Sequence, residues 1–161
     1  MAQKTIEVPR VICLGHILLL IAMSESLFLI EDEELVCELL GEFLRAEEGI
    51  EFLGEARDGA TAITQCRELR PDLIILDLRL PEVSGLDVLK VLHKELPDTR
   101  VIIFTGSLSE ETLQITLQNG AIAYVEKAYG LEELQKAIQA ARKGEKYYSP
   151  SIARLIEDYK F

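Results

Sequence analysis

Five widely separated positions carry the chemistry of this sequence: the acidic pair Glu31-Asp32, then Asp77, Thr105 and Lys127. Each ends or follows a short apolar run, Leu27 to Ile30 before the pair, Leu73 to Leu76 before Asp77, Val101 to Phe104 before Thr105, and Ala123 to Val125 ahead of Glu126-Lys127. Three carboxylates drawn into one pocket repel one another and raise each other's pKa unless a cation lies among them. Such a set implies a hard divalent ion. Magnesium suits it, because it takes oxygen ligands octahedrally, keeps several waters and binds through a few carboxylates plus a phosphate oxygen. With that ion present, Asp77 can act as a nucleophile toward phosphorus. The charge of the phosphoryl group it accepts would then be spread over the metal, the Lys127 ammonium and the Thr105 hydroxyl. Phosphoryl transfer of this kind needs positioning and charge stabilisation more than further covalent chemistry.

For these side chains to meet, the elements carrying them must end on one edge. From Leu27 onward apolar runs alternate with amphipathic stretches, the pattern of repeated βα units around a parallel sheet. The predicted strands are Leu27 to Ile30, Glu51 to Ala56, Leu73 to Asp77, Arg100 to Thr105 and Ala123 to Glu126. The third and fourth, with the continuous apolar runs Leu73 to Leu76 and Val101 to Phe104, are expected at the sheet centre, covered on both faces. Leu35, Val36, Leu39, Leu40 and Phe43 form one predicted helical stripe, and Leu86, Leu89, Val91 and Leu92 contribute to another. Gly49, Gly120 and Gly144 read as helix stops, Ser107 with Glu110 as a capping box, and Ser149-Pro150 as the start of a last helix. Right-handed crossovers between five strands give a doubly wound α/β sheet, in which reactive groups collect beyond the carboxyl ends of the strands.

Composition narrows the function. The 161 residues are 48% hydrophobic and 28% charged with five prolines, which fits one folded domain rather than a disordered chain. A net charge of -11 disfavours an electrostatic grip on nucleic acid, which depends on clustered Lys and Arg. Cys13, Cys37 and Cys66 show no metal-ligand spacing and fit a reducing, cytoplasmic compartment. Val11 to Met23 is apolar for thirteen residues, shorter than the roughly 20 a membrane-spanning helix needs, so residues 1–25 read as an N-terminal extension and not as an anchor.

The blocks LFLIEDEE, DLIILDLRLPEVSGLDVL, VIIFTGS and AIAYVEK resemble the signature segments of the response regulator receiver family, over residues 26–144. The resemblance implies the flavodoxin-like strand order 2-1-3-4-5, for which the chemotaxis receiver is the standard example. It also implies that Glu31, Asp32, Asp77 and the backbone carbonyl of Arg79 bind magnesium, that Asp77 is the phosphoacceptor, that Thr105 and Tyr124 are switch residues and that Lys127 contacts the phosphate. The implied partners are a sensor histidine kinase and either a second copy, through the fourth helix, fifth strand and fifth helix, or a downstream protein. By the same resemblance such a protein is no enzyme beyond its own phosphorylation and dephosphorylation.

Ala128 follows Lys127 where the family commonly has proline, so a trans peptide or an altered turn is expected there. Gly106 would leave space beside the acceptor, and Arg79 has the length to screen it. A haloacid-dehalogenase phosphatase would need a second acid where Arg79 stands, and a nucleotide-binding fold would need glycines where IEDEE stands. His93 reads as a solvated helix residue. Residues 145–161 resemble the segment that leads, in the helix-turn-helix branch, toward an output domain; a stand-alone receiver, a receiver fragment of a transcription regulator and a degenerate, phosphorylation-independent interaction module stay open on sequence alone.

Overall fold

A computed structural model describes residues 24–106 and 109–159 of the chain. Six parallel strands form one sheet in the order β2-β1-β3-β4-β5-β6: β1 Glu25–Ile30, β2 Ile50–Ala56, β3 Leu73–Leu76, β4 Arg100–Thr105, β5 Ala123–Glu126 and β6 Tyr147–Tyr148. The helices are α1 Glu34–Ala46, α2 Gly59–Leu69, α3 Gly85–Glu95, α4 Glu110–Gln118, α5 Gly130–Arg142 and α6 Pro150–Tyr159. The doubly wound, flavodoxin-like order expected from the sequence is therefore present, extended by one short strand. Tyr147-Tyr148 has no stretch of alternation that could announce it, and its pairing with Ala123-Tyr124 is set by tertiary structure.

All four residues of β3, and β4 from Val101 to Thr105, are buried, as their apolar runs require. The sheet divides the interior in two. Phe28, Ile30, Ile74, Leu76, Ile103 and Tyr124 face the side covered by α2, α3, α4 and α6. Leu27, Leu29, Ile75, Ile102, Phe104 and Val125 face α1 and α5, because successive strand residues point to opposite faces.

The helix stripes differ in part from those predicted. In α1 the buried residues are Cys37, Leu40, Gly41 and Leu44, a line with helical spacing. Val36 and Phe43 flank it, while Leu35 and Leu39 are 79% and 54% exposed. The buried line includes the small residues Cys37 and Gly41: Cys37 Sγ donates to the Glu31 carbonyl at 3.1 Å, and a Cβ on Gly41 would stand 3.0 Å from the Arg45 guanidinium. In α3, Gly85 and Val88 are buried with Leu89 and Leu92, and Leu86 and Val91 are only half-buried.

Turn chemistry sets the boundaries. Gly49, Gly120 and Gly144 all adopt positive φ after their helices, where a Cβ would be strained. Helix α4 is capped by Ser109, whose hydroxyl accepts from the Thr112 amide, and not by the predicted Ser107 box; Ser107 lies outside the described residues. Pro150 opens α6 at its first position, as expected. Residues 1–23, with Cys13 and the apolar Val11 to Met23, also lie outside the described residues.

Candidate functional site

Because β1 and β3 end in register at Ile30 and Leu76, the residues that follow them emerge side by side. The Asp77 amide donates to the Ile30 carbonyl at 2.9 Å and the Glu31 amide to the Ala56 carbonyl at 3.1 Å, which extends the ladder into the site and fixes both acids. Thr105, the last residue of β4, is paired in register with Glu126, the last of β5, so Lys127 leaves the sheet one residue beyond. All five residues singled out by the sequence are thereby brought to one edge.

Four of the side chains, all but that of Asp32, are linked by direct contacts. Asp77 Oδ2 accepts from Lys127 Nζ at 2.6 Å, while Asp77 Oδ1 accepts from Thr105 Oγ1 at 2.9 Å and from the Arg79 amide at 3.1 Å. Lys127 Nζ also reaches Glu31 Oε2 at 2.7 Å and lies 3.7 Å from Glu33. Glu31, Asp77 and Thr105 are buried, whereas Asp32 is exposed. Burial pushes the Glu31 carboxyl above its ordinary value, with Lys127 opposing and Asp77 reinforcing the shift. For Lys127 burial alone would lower the pKa, but its hydrogen bonds to Asp77 and Glu31 and their charges outweigh it and hold the ammonium above its ordinary value.

Glu31, Asp32 and Asp77 each offer one carboxylate oxygen, all within 4.8 Å of one another. Three hard oxygen donors against a single lysine leave the cluster short of positive charge. That is the donor chemistry a magnesium ion takes, so these residues fit the ion the sequence implies.

The loop after Asp77 is held close. The Gly85 amide donates back to the Leu78 carbonyl at 3.1 Å, and a Cβ on Gly85 would stand 2.3 Å from the Asp77 carbonyl oxygen. Only glycine allows α3 to start against the backbone of the acceptor. On the far side, the space expected beside Gly106 is filled: a Cβ there would meet an Arg79 guanidinium nitrogen at 2.6 Å. The exposed side chain of Arg79 therefore lies beside Gly106. After Lys127 all peptide bonds are trans, and the chain forms a single 3-10 turn, Lys127–Tyr129, as the substitution of alanine led us to expect.

Tyr124 is fully buried in β5, and among the described residues its hydroxyl has no hydrogen-bond partner. Burial drives its pKa up, with Glu126 and Asp77 adding to the shift. His93 is exposed, beside Gly120, and takes no part in the site. Sequence reasoning missed Glu126, Ser149 and Ser151. The Ser149 amide donates to the Tyr124 carbonyl at 3.0 Å, the Glu126 amide donates to Ser149 Oγ at 3.4 Å, and the Ser151 hydroxyl donates to the Glu126 carboxylate. No local sequence pattern marks a contact between residues 25 apart.

Comparison with known proteins decides what this edge belongs to. Residues 27–139 match the response regulator receiver domain. The chain belongs to the response regulator receiver family. Its relatives include the transcriptional regulatory protein LiaR of Bacillus subtilis, 34% identical over 128 residues, and the response regulator GacA of Pseudomonas aeruginosa, 31% identical over 131. The matched regions cover 80% and 81% of this chain but 61% of each relative, so the receiver spans about three fifths of the proteins it resembles. A LuxR-family two-component response regulator from Aurantimonas sp. SI85-9A1 superposes with a TM-score of 0.80 at 28% identity, over 85% of this chain and 98% of that one. Among the described residues no helix of the receiver is long and apolar enough to cross a membrane.

Proposed function

We propose that this receiver takes a phosphoryl group from a sensor histidine kinase onto Asp77. The observation that carries the reading is the pairing of the buried Asp77 carboxylate with both Lys127 and Thr105, beside the acidic pair Glu31-Asp32. One carboxylate oxygen of Asp77 attacks phosphorus, the bond from phosphorus to the donor's nitrogen or oxygen breaks, and the donor leaves with that electron pair. Lys127 and Thr105, which now hold the carboxylate, are within reach of the phosphoryl oxygens that replace it. Magnesium, held by Glu31, Asp32, Asp77 and the Arg79 carbonyl, would supply the positive charge that offsets the clustered acids and the incoming group. Arg79, lying over Gly106, restricts the approach of water to the acyl phosphate, and so favours a longer-lived phosphorylated form.

The switch follows from the same bonds. When Thr105 turns to the phosphoryl group it leaves Asp77, and the adjoining β4–β5 edge with Tyr124 is biased toward a second arrangement. The output surface is the α4–β5–α5 face, where β6 and α6 now lie, and it serves a second copy, a downstream protein or an output domain. The cytoplasm is the compartment proposed, in keeping with the buried free thiols of Cys37 and Cys66. No direct contact with nucleic acid is assigned to these residues, given the net charge of -11. Radiolabelled phosphotransfer, from a kinase or from acetyl phosphate with magnesium, tests the assignment. Label is expected on the native chain and absent from Asp77→Asn; full labelling of that variant refutes it.

A further inference from the structure

The last two elements make a hook that returns to the phosphoryl site. Strand β6 pairs with Ala123 and Tyr124, and Ile152, Leu155 and Ile156 of α6 pack into the cluster that holds Leu113, Leu117 and Tyr124. The hook's polar contacts converge on the end of β5. Ser149, fully buried, donates its amide to the Tyr124 carbonyl and receives the Glu126 amide on its hydroxyl, while the Ser151 hydroxyl holds the Glu126 carboxylate. Glu126 thus has both its backbone and its side chain fixed by the hook. The next residue is Lys127.

We propose that Glu126 is a positioning residue, through which the docked β6–α6 hook places Lys127 for its contact with the phosphoryl group. This deepens the proposed function and rests on its reading of Lys127. Lys127 Nζ is poised between Asp77 and Glu31 at 2.6 and 2.7 Å, and the backbone behind it enters a 3-10 turn whose N-cap, Glu126, makes no side-chain capping bond within that turn. Beyond its register pairing with Thr105 in β4, what restrains Glu126 comes from Ser149 and Ser151. Hook docking and phosphoryl binding are then linked in both directions, since a coupling between two binding events is reciprocal.

The test uses the full chain with beryllofluoride and magnesium as the phosphoryl probe, read by titration calorimetry, and magnesium alone as the reference. Ser151→Ala is expected to weaken beryllofluoride binding by about fivefold or more, the low end of common coupling strengths. Magnesium affinity, which depends on the acids, should stay within about twofold, and Ser151→Thr should restore the loss. Unchanged beryllofluoride binding, or an equal loss for both ligands, overturns the proposal. A second measurement needs no phosphoryl chemistry and so separates failure of the link from failure of the site reading. Lys127→Met should speed amide exchange in residues 151–159, and combining it with Ser151→Ala should add less than the two separate effects; additive effects overturn the link even if the native chain binds no beryllofluoride.

Discussion

Removing the charge of Lys127 from the acidic pocket is the most direct challenge to the site. Lys127→Met keeps an unbranched apolar stem and deletes the charged end. At an effective dielectric of about 20, each contact of Lys127 with Asp77 and Glu31 corresponds to about 6 kcal/mol of attraction, before the cost of burying the charges is set against it. Within the 4.8 Å that bounds the cluster, the repulsion between two carboxylates is about 3.5 kcal/mol, and without the lysine nothing offsets it. Allowing for relaxation and water entry, breaking a buried pair costs about 3–5 kcal/mol, or about 10 °C in midpoint for a chain of this size. The assay is urea denaturation in EDTA, repeated with magnesium. Glu31 already has a raised pKa and would rise further without Lys127, so the folded form would hold its proton more tightly than the unfolded one. Stability of the variant therefore increases as pH falls toward 4.5, and the deficit is larger at pH 8 than near pH 5.5. For the native protein, the raised Lys127 pKa gives a contribution that is complete below 10.5 and disappears as pH climbs through the folded value. Magnesium should stabilise the variant more than the native chain, by supplying the missing charge. A deficit below about 1 kcal/mol in EDTA at pH 8 would refute the electrostatic account.

Gly85→Ala should cost at least about 2 kcal/mol and weaken magnesium binding, because its Cβ would press on the backbone of Asp77 and Leu78; denaturation and titration together check this. Tyr124→Phe should leave stability unchanged or raise it by up to about 1 kcal/mol, since among the described residues the buried hydroxyl has no partner to lose, and a large loss in a melting experiment would contradict that. Burial pushes the thiols of Cys37 and Cys66 up to about 11 and about 12, so both should resist iodoacetamide at pH 8 when sites are mapped by mass spectrometry.

The chemistry was legible in the sequence for a geometric reason. Parallel strands deliver all their carboxyl ends to one edge, so residues after LIIL, VIIF and LFLI had to meet even though nothing local connects them. The inner line of α1 was less legible. Cys37 and Gly41 are buried although small, whereas a pattern weighted by hydrophobicity selects Leu35 and Leu39, which are exposed. The reach of Arg79 over Gly106 and the grip of Ser151 on Glu126 depend on side-chain direction and loop path, neither of which has a periodic trace.

The sheet's two borders differ in how they discourage unwanted pairing with other chains. On one side the outermost strand is the two-residue β6, too short to serve as a template for a foreign strand. On the other, β2 is longer, but a register shift opposite Leu27 and Phe28, with Gly54 at φ 140, interrupts its line, and Glu51 and Glu55 add charge. Among the described residues, a sheet this rich in Leu, Ile and Val is thereby guarded against fibrous aggregation at both margins.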